Sequence, residues 1–309
     1  MKKLICLTLA ALIASCVFAQ TKIGEHEWNI KLHILDESGI PVAGANAGVG
    51  FFTNSTPTGI DGITDTNGDF VATHSDTPSE SAYPLSFRIE KQGYYSTWAQ
   101  VDLGQGYDPT KWSQSVTLTL KKVGKPIAMY SKWIRKNPSV LNQPMGYDLM
   151  VGDWVGPNGS GVQTDVIFQA DEHVKSNRDY EHNITIKFPK PGDGIQVYNI
   201  PDSEATSGLR SPHEAPTNGY QPELTRETSA HPGQPNKFEY DPNRIYLFRV
   251  RTALDQQGNV VSAHYGKIYG DFMQFTYYLN PTPNDRNMEF DLKQNLLQGL
   301  QSFEGVNAP

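Results

Sequence analysis

The sequence predicts an all-β protein of two antiparallel domains, on three observations. Tyr (15), Phe (13) and Gly (27) are abundant and Pro reaches 21, the mixture that aromatic strands broken by Gly/Pro turns produce. Several stretches alternate apolar and polar residues with a period of two, as in Trp28-Asn29-Ile30-Lys31-Leu32-His33-Ile34, the mark of a half-buried strand. The 309 residues fit about two domains, and 38% hydrophobic against 19% charged residues is the balance of packed cores, not of a disordered chain.

Residues 1–19 read as an export leader. Lys2 and Lys3 form a positive start, Leu4 to Ala14 an apolar stretch too short to span a bilayer, and Val17-Phe18-Ala19 a small-residue cleavage site before Gln20. An alternative reading takes Ile13-Ala14-Ser15-Cys16 as a lipobox, with Cys16 lipidated and the chain anchored to a membrane. The protein is therefore expected to be secreted or periplasmic, or else a lipoprotein. No later segment approaches the ~20 apolar residues of a membrane helix. Both cysteines, Cys6 and Cys16, lie in the leader, so a chain cleaved at Ala19 has no disulfide, thiol nucleophile or cysteine-ligated zinc. The formal charge of −7 becomes −9 once Lys2 and Lys3 are removed. An acidic chain without a basic run is a poor ligand for nucleic acid or anionic membrane.

Residues 26–122 read as the first domain. Trp28–Ile34 is a strand, Asp36-Glu37-Ser38-Gly39 a turn, and Val49–Thr53, Leu85–Lys91 and Val116–Lys121 are further strands. Asn67-Gly68, at the centre of Thr64-Asp65-Thr66-Asn67-Gly68-Asp69-Phe70, signals a hairpin because both residues tolerate positive φ. Asp65, Asn67 and Asp69 do not match a calcium loop, which needs Gly at position six and a bidentate Glu at position twelve; here Gly68 is fourth and Asp76 twelfth. The run Asp36-Glu37-Ser38-Gly39-Ile40-Pro41-Val42-Ala43-Gly44-Ala45, then Thr64–Phe70, then Lys91-Gln92-Gly93-Tyr94 resembles the carboxypeptidase regulatory-like (transthyretin-like) family in order and spacing. The resemblance implies a seven-stranded prealbumin-like sandwich. It implies an accessory module without catalytic residues, in a fold grouped with carbohydrate-binding-like sandwiches, and a shared fold does not establish function.

Residues 123–144 read as a connector with Pro126, Pro138 and Pro144, and 145–309 as a second, antiparallel β domain with long loops. Its strands are expected over Tyr147–Trp154, Val162–Ala170, Tyr180–Phe188, Gly194–Ile200, Arg244–Leu254, Val260–Tyr269 and Phe272–Leu279. Residues 201–243 carry seven prolines, at 201, 212, 216, 222, 232, 235 and 242, and few aliphatics; a loop this long is usually functional or disordered. Asp291 can cap a short helix over Leu292–Gln298 ended by Gly299. Tyr265-Gly266-Lys267-Ile268-Tyr269-Gly270-Asp271-Phe272 and Asn280-Pro281-Thr282-Pro283-Asn284-Asp285-Arg286-Asn287 resemble exported bacterial β domains of undefined function.

The motif search excludes several chemistries. There is no His-Glu-x-x-His, no Gly-x-Ser-x-Gly elbow, no Walker loop and no Rossmann fingerprint. Asp148, Asp153, Asp165, Asp171 and Glu172 cluster in sequence around Trp154, so paired carboxylates of a glycan hydrolase are one reading. Asp148, Asp153 and Asp165, with carbonyls from the Gly156–Gly161 turn, are a second: a calcium site. His173, His182, His213, His231 and His264 match no metal spacing. Trp98, Trp112, Trp133 and Trp154 could stack on sugar rings. Tyr94, Tyr95 and Trp98 are the expected exposed set, and one of Tyr277 and Tyr278, on opposite faces of one strand, is expected outward.

The reading that follows is an exported, non-catalytic binding or structural protein recognising carbohydrate or another cell-envelope component. Trp98, Trp154, Tyr94 and Tyr95 are its ligand contacts and the 201–243 loop its recognition element. It requires no cofactor beyond the calcium alternative. The competing readings are a glycan-active hydrolase using acids in 148–172 and a protein–protein adhesion or assembly subunit.

Overall fold

A computed structural model describes residues 26–51, 58–76, 85–101, 113–135, 143–238 and 241–309. The leader, Cys16 and Trp112 lie outside the described residues.

The first unit contains seven strands in two sheets. β1 (His26–Asp36), β4 (Asp69–Asp76) and β7 (Ser113–Leu120) form one sheet, in the order β4-β1-β7. β2 (Asn46–Phe51), β3 (Thr58–Ile63), β5 (Leu85–Glu90) and β6 (Thr97–Val101) form the other, in the order β3-β2-β5-β6. The period of two in β1 is realised as read: Trp28, Ile30, Leu32 and Ile34 are buried and meet Val49, Phe51, Phe87 and Ile89 from the facing sheet in one core. The Asn67-Gly68 turn is tight, with Gly68 at φ 75° and Asp65 Oδ1 accepting the amides of Asn67 and Asp69. It does not make the expected hairpin. β3 pairs with β2 and β4 with β1, so the turn carries the chain from one sheet to the other. Turn chemistry is local, whereas the choice of strand partner is made by the core.

The second unit is a larger sandwich. One sheet holds β9 (Met145–Asp148), β10 (Asp153–Trp154), β11 (Val166–Ser176), β12 (Asp179–Lys187), β14 (Glu223–Ala230) and β15 (Lys237–Phe238), in the order β10-β9-β11-β12-β14-β15. The other holds β8 (Ile127–Ile134), β13 (Gly194–Asn199), β16 (Arg244–Leu254), β17 (Val260–Gly270), β18 (Phe275–Leu279) and β19 (Phe290–Asn295), in the order β13-β16-β17-β18-β8-β19. Phe168, Ile186, Phe248, Ile268, Phe275 and Tyr277 fill the space between the sheets.

Four expectations are corrected here. The 123–144 connector contains β8, which pairs with β18 inside the second sandwich. Residues 201–243 are not one irregular loop, since they include β14, paired with β12 along its length, and the short β15. The terminal helix is strand β19. Asp291 Oδ1 does accept the amide of Lys293, but so short a helix is marginal alone, and burying Phe290 with Met129 and Tyr278 decides the outcome. Tyr277 and Tyr278 are both buried. Their sheet is covered twice, by the facing sheet over Tyr277 and by the C-terminal segment over Tyr278, where Val306 packs on the cluster and the Ala308 carbonyl accepts the Tyr278 hydroxyl.

The same double cover explains 201–222. Ile200, Ala215 and Met288 pack on Ile245, Leu247, Ala263 and Tyr265, on the outer face of β16 and β17. The proline-rich segment is a lid on the sheet, and it brings Glu204, Ser211 and His213 to the first unit.

Candidate functional site

Three polar or aromatic sites arise from this architecture. The first is the junction between the two units. Lys121, at the end of β7 and 1% exposed, places Nζ 2.6 Å from Glu204 Oε2 and donates to the Ser211 carbonyl at 2.9 Å. Lys267 on β17 is 0% exposed. It donates to Ser211 Oγ at 3.1 Å and to the Met288 carbonyl at 2.7 Å, beneath the rings of Tyr269 and Tyr278. Burial pushes the Lys267 ammonium well below its usual range; Glu289 opposes that and Lys121 adds to it.

Glu289 is the centre of the same junction. Its Oε2 accepts the Tyr95 hydroxyl at 2.7 Å and the Gly124 amide at 2.8 Å, and its Oε1 lies 2.8 Å from His213 Nδ1. A Cβ on Gly124 would lie 2.4 Å from Glu289 Oε1, so a larger residue there would displace the carboxylate from this position. His213 Nε2 lies 3.0 Å from Glu37 Oε2 on the first unit. With a carboxylate at each ring nitrogen, both nitrogens donate, which only the imidazolium can do. Burial would raise the Glu289 pKa, but hydrogen bonds from His213, Tyr95 and Gly124 outweigh it and hold the group at about 2. The Glu289 contact raises the His213 pKa against the opposing effect of burial, and Glu37 adds to the rise.

A pH profile follows from these directions. The stability that His213 lends is complete below its ordinary value of 6.5 and is lost as pH rises through the raised folded value. The stability from Glu289 is complete above 4.5 and is lost as pH falls toward about 2. Thermal unfolding of the wild type should therefore show its largest advantage over a His213→Ala variant near pH 5–6 and a shrinking one above neutrality. A constant difference from pH 5 to 9 would contradict the assignment.

The second site is the acidic cluster expected to hold calcium or catalyse hydrolysis. Arg251 occupies it. A register shift between Val250 and Ala253 and a φ of 55° turn Arg251 inward from β16, as bulges do when they re-aim a side chain. Its Nε and one terminal nitrogen reach the two oxygens of Asp165 at 2.8 and 2.9 Å, and the same terminal nitrogen reaches Asp148 Oδ1 at 2.9 Å. The Asp148 and Asp165 side chains are 2% and 0% exposed. Asp148 also accepts the amides of Met150, Val151, Val162 and Gln163. Burial would raise its pKa, but those amides and Arg251 hold it below the usual carboxylate range. Asp153 is not part of this group; it accepts from Trp154 and from the amide and hydroxyl of Ser160. Asp171 accepts from Gln169, and Glu172 faces His182 at 3.2 Å. Among the described residues no group of three or more His, Cys, Asp or Glu side chains is placed to share a metal ion. The guanidinium supplies the positive charge that calcium would have brought to Asp148 and Asp165.

The third site is the cleft at Trp154. Trp154 packs edge-on against Tyr147 and Phe168, with ring centroids at 5.0 and 5.7 Å. Beside it, Arg135 lies over the rings of Trp133 and Phe303 at 4.7 and 5.4 Å. Lys132 bridges Glu304 at 2.9 Å and the Gly152 carbonyl at 3.0 Å. These groups line a cleft of about 240 Å³. The sequence pointed to Trp154 and Trp133. It gave no sign of Arg135, Phe303 or Glu304, because the C-terminal segment reaches the cleft only through the fold.

The remaining expected contacts divide. Trp98 is exposed (59%) on β6. Tyr94 packs partly into the first core, and Tyr95 is spent on the junction. His173, His182, His213, His231 and His264 do not converge; His182, His213 and His231 pair with Glu172, Glu289 and Asp179 respectively.

No protein-family model matches the chain, and no curated protein matches it. Among solved structures it is similar to 3-chlorocatechol 1,2-dioxygenase from Rhodococcus opacus at 16% identity and a TM-score of 0.27. That likeness covers 34% of this chain and 62%, less than two thirds, of the dioxygenase. A protein of unknown function from Bacteroides fragilis, described as membrane-associated, is similar at 10% identity over 84% of this chain and 99% of that one, with a TM-score of 0.22. A shaft pilin from Lactobacillus rhamnosus is similar at 11% identity over 55% of this chain and 90% of that one, with a TM-score of 0.21. Likenesses at these scores carry no statement of ligand or activity. Among the described residues no helix is long and apolar enough to cross a membrane.

Proposed function

We propose that the chain is an exported, non-catalytic binding or structural protein whose second unit recognises a carbohydrate or another cell-envelope component at the Trp154 cleft. The observation that carries this reading is the cleft itself. Trp154 is fixed by Tyr147 and Phe168, and Arg135 is stacked on Trp133 and Phe303. Pre-placed rings with a few polar groups are what a small ligand site needs. The first unit is a regulatory-like module in this reading, supported by its motif order and its seven strands in two sheets. It acts as a stalk held to the second unit by Lys121, Glu289 and His213. Export by the leader, with or without lipid on Cys16, completes the reading.

The hydrolytic alternative needs two acids facing each other across an open cleft. Asp148 and Asp165 face Arg251 instead, so the geometry favours recognition.

The test is a binding screen of the purified chain against glycans and cell-wall polysaccharides, run with calcium and with chelator. Saturable binding that Arg135→Ala weakens about tenfold or more supports the cleft, on the scale of an interface hot spot. Binding indifferent to Arg135→Ala and Phe303→Ala would remove the cleft as the site. Loss of binding in chelator would return attention to calcium.

A further inference from the structure

We infer that the outer face of the β3-β2-β5-β6 sheet is a second binding groove and that it takes a neutral saccharide. The proposal rests on the reading of the chain as a recognition protein, but on a different face and a different unit. Strand register places four residues opposite one another in a row across this sheet: Asp61 on β3, Gly48 on β2, Arg88 on β5 and Trp98 on β6. Their sequence neighbours Ala47, Val49, Phe87, Ile89 and Ala99 are in the core, so by strand alternation the row faces outward.

The floor of the row is bare backbone. A Cβ on Gly48 would lie 2.3 Å from Asp61 Oδ1, and one on Gly50 would lie 2.3 Å from Ser86 Oγ. With no side chain on Gly48, the Asp61 carboxylate folds over that backbone, and a groove of about 380 Å³ runs beside it, walled by Asn46, Asp61, Arg88 and Glu90. Trp98 stands beside it, next to Arg88 across the strand pair. Arg88 and Glu90 are only loosely paired, at 3.9 Å, so both keep hydrogen-bonding capacity for a ligand. From β3 to β5 is two interstrand steps, about 10 Å, and with no Gly48 side chain between them the Asp61 carboxylate leans from β3 toward β5.

The chemistry selects the ligand class. An exposed indole packs on an apolar ring face. Carboxylates at Asp61 and Glu90 accept from hydroxyl groups, while Arg88 and the Asn46 amide donate to them. A neutral polyhydroxylated ring offers all of these at once. Two carboxylates against one guanidinium disfavour an anionic ligand, and Arg88 disfavours a cation at the centre. The chain's net charge of −7 disfavours nucleic acid. The polar walls suit an apolar helix poorly.

The test is calorimetric titration of the full purified chain with neutral gluco-, manno- and galacto-configured oligosaccharides, alongside glucuronate and galacturonate oligomers. The variants are Trp98→Ala, Arg88→Ala and Arg135→Ala. The first two alter exposed side chains, so their thermal unfolding should match the wild type. The expected result is binding of a neutral oligosaccharide that Trp98→Ala and Arg88→Ala each weaken about tenfold or more and that Arg135→Ala leaves unchanged. The groove is overturned by no neutral binding, by binding of uronates alone, or by neutral binding that survives Trp98→Ala and Arg88→Ala. If that surviving binding is lost in Arg135→Ala, the groove fails while the Trp154 cleft stands.

Discussion

Replacing Arg251 with methionine is expected to destabilise the protein by about 3–5 kcal/mol, the scale for stripping one partner from a buried ion pair. The substitution strands two carboxylates, because Asp148 and Asp165 are both buried and both bound to this one guanidinium. Lysine should rescue little, since a point charge cannot reproduce the two-pronged contact on Asp165. For a domain of this size the loss is on the order of 10 °C in Tm, measured by thermal or urea unfolding. The discriminating comparison is the triple variant Asp148→Asn, Asp165→Asn, Arg251→Met. Removing all three charges together should recover a substantial part of the loss, because the cost lies in the unpaired charge and not in the missing contact. Asparagine can still accept from the amides of Leu149, Val162 and Gln163 that now anchor on the two aspartates. A single Arg251→Met variant within 1 kcal/mol of wild type, about a fivefold change in the folding equilibrium, would show that the carboxylates are hydrated or protonated instead.

Arg251 also marks where the sequence stops being legible. Strand β16 was readable from Arg244 to Leu254 because Ile245, Leu247 and Phe248 are apolar in a run bounded by turns. The bulge inside it was not readable, since a register shift is a property of the pairing with β17. The carboxylates were found and their cation was missed for the same reason: Asp148 and Asp165 are neighbours in sequence, while Arg251 arrives from a distant strand. The period-two strands of the first unit were legible because one face alone of each sheet meets the core. Tyr277 and Tyr278 misled, because alternation predicts an exposed face only where nothing covers it. Residues 201–222 misled in the opposite sense. Proline-rich composition marks irregular backbone, and irregular backbone can still be a lid, as Ala215 on Ile245 and Leu247 demonstrates. Of the candidate contacts, Trp98 and Trp154 could be proposed from residue type alone. Tyr95 could not be assigned to the junction, since its partner Glu289 lies 194 residues away.

Glu289→Ala is expected to cost a comparable 3–5 kcal/mol, about the cost of breaking a buried charged pair, and to act mainly on the joint between the units. The Glu289 side chain is 4% exposed, and its loss leaves the Tyr95 hydroxyl, the Gly124 amide and one side of His213 without their acceptor. It also removes the negative charge that opposes desolvation at Lys267. With that charge gone and Lys121 still opposing it, Lys267 should be driven further toward its neutral form. Glu289→Gln separates the contributions. The amide keeps an oxygen for Tyr95 and Gly124 but cannot pair with the imidazolium. It should therefore retain part of the stability near pH 8, where the wild-type His213 contribution is already falling, and lose more near pH 5.5. Hydrogen exchange supplies the local readout. The amides of Tyr95, Val123 and Gly124, bonded to Lys121, Gly93 and Glu289, should lose protection in Glu289→Ala, while amides of β1 and β16 keep theirs up to the global unfolding limit. Equal loss of protection in both cores would mean that the two sandwiches unfold as one cooperative unit and that Glu289 is not a separable joint. Selective loss at the joint would establish Glu289 as a residue that holds the two units together independently of their cores.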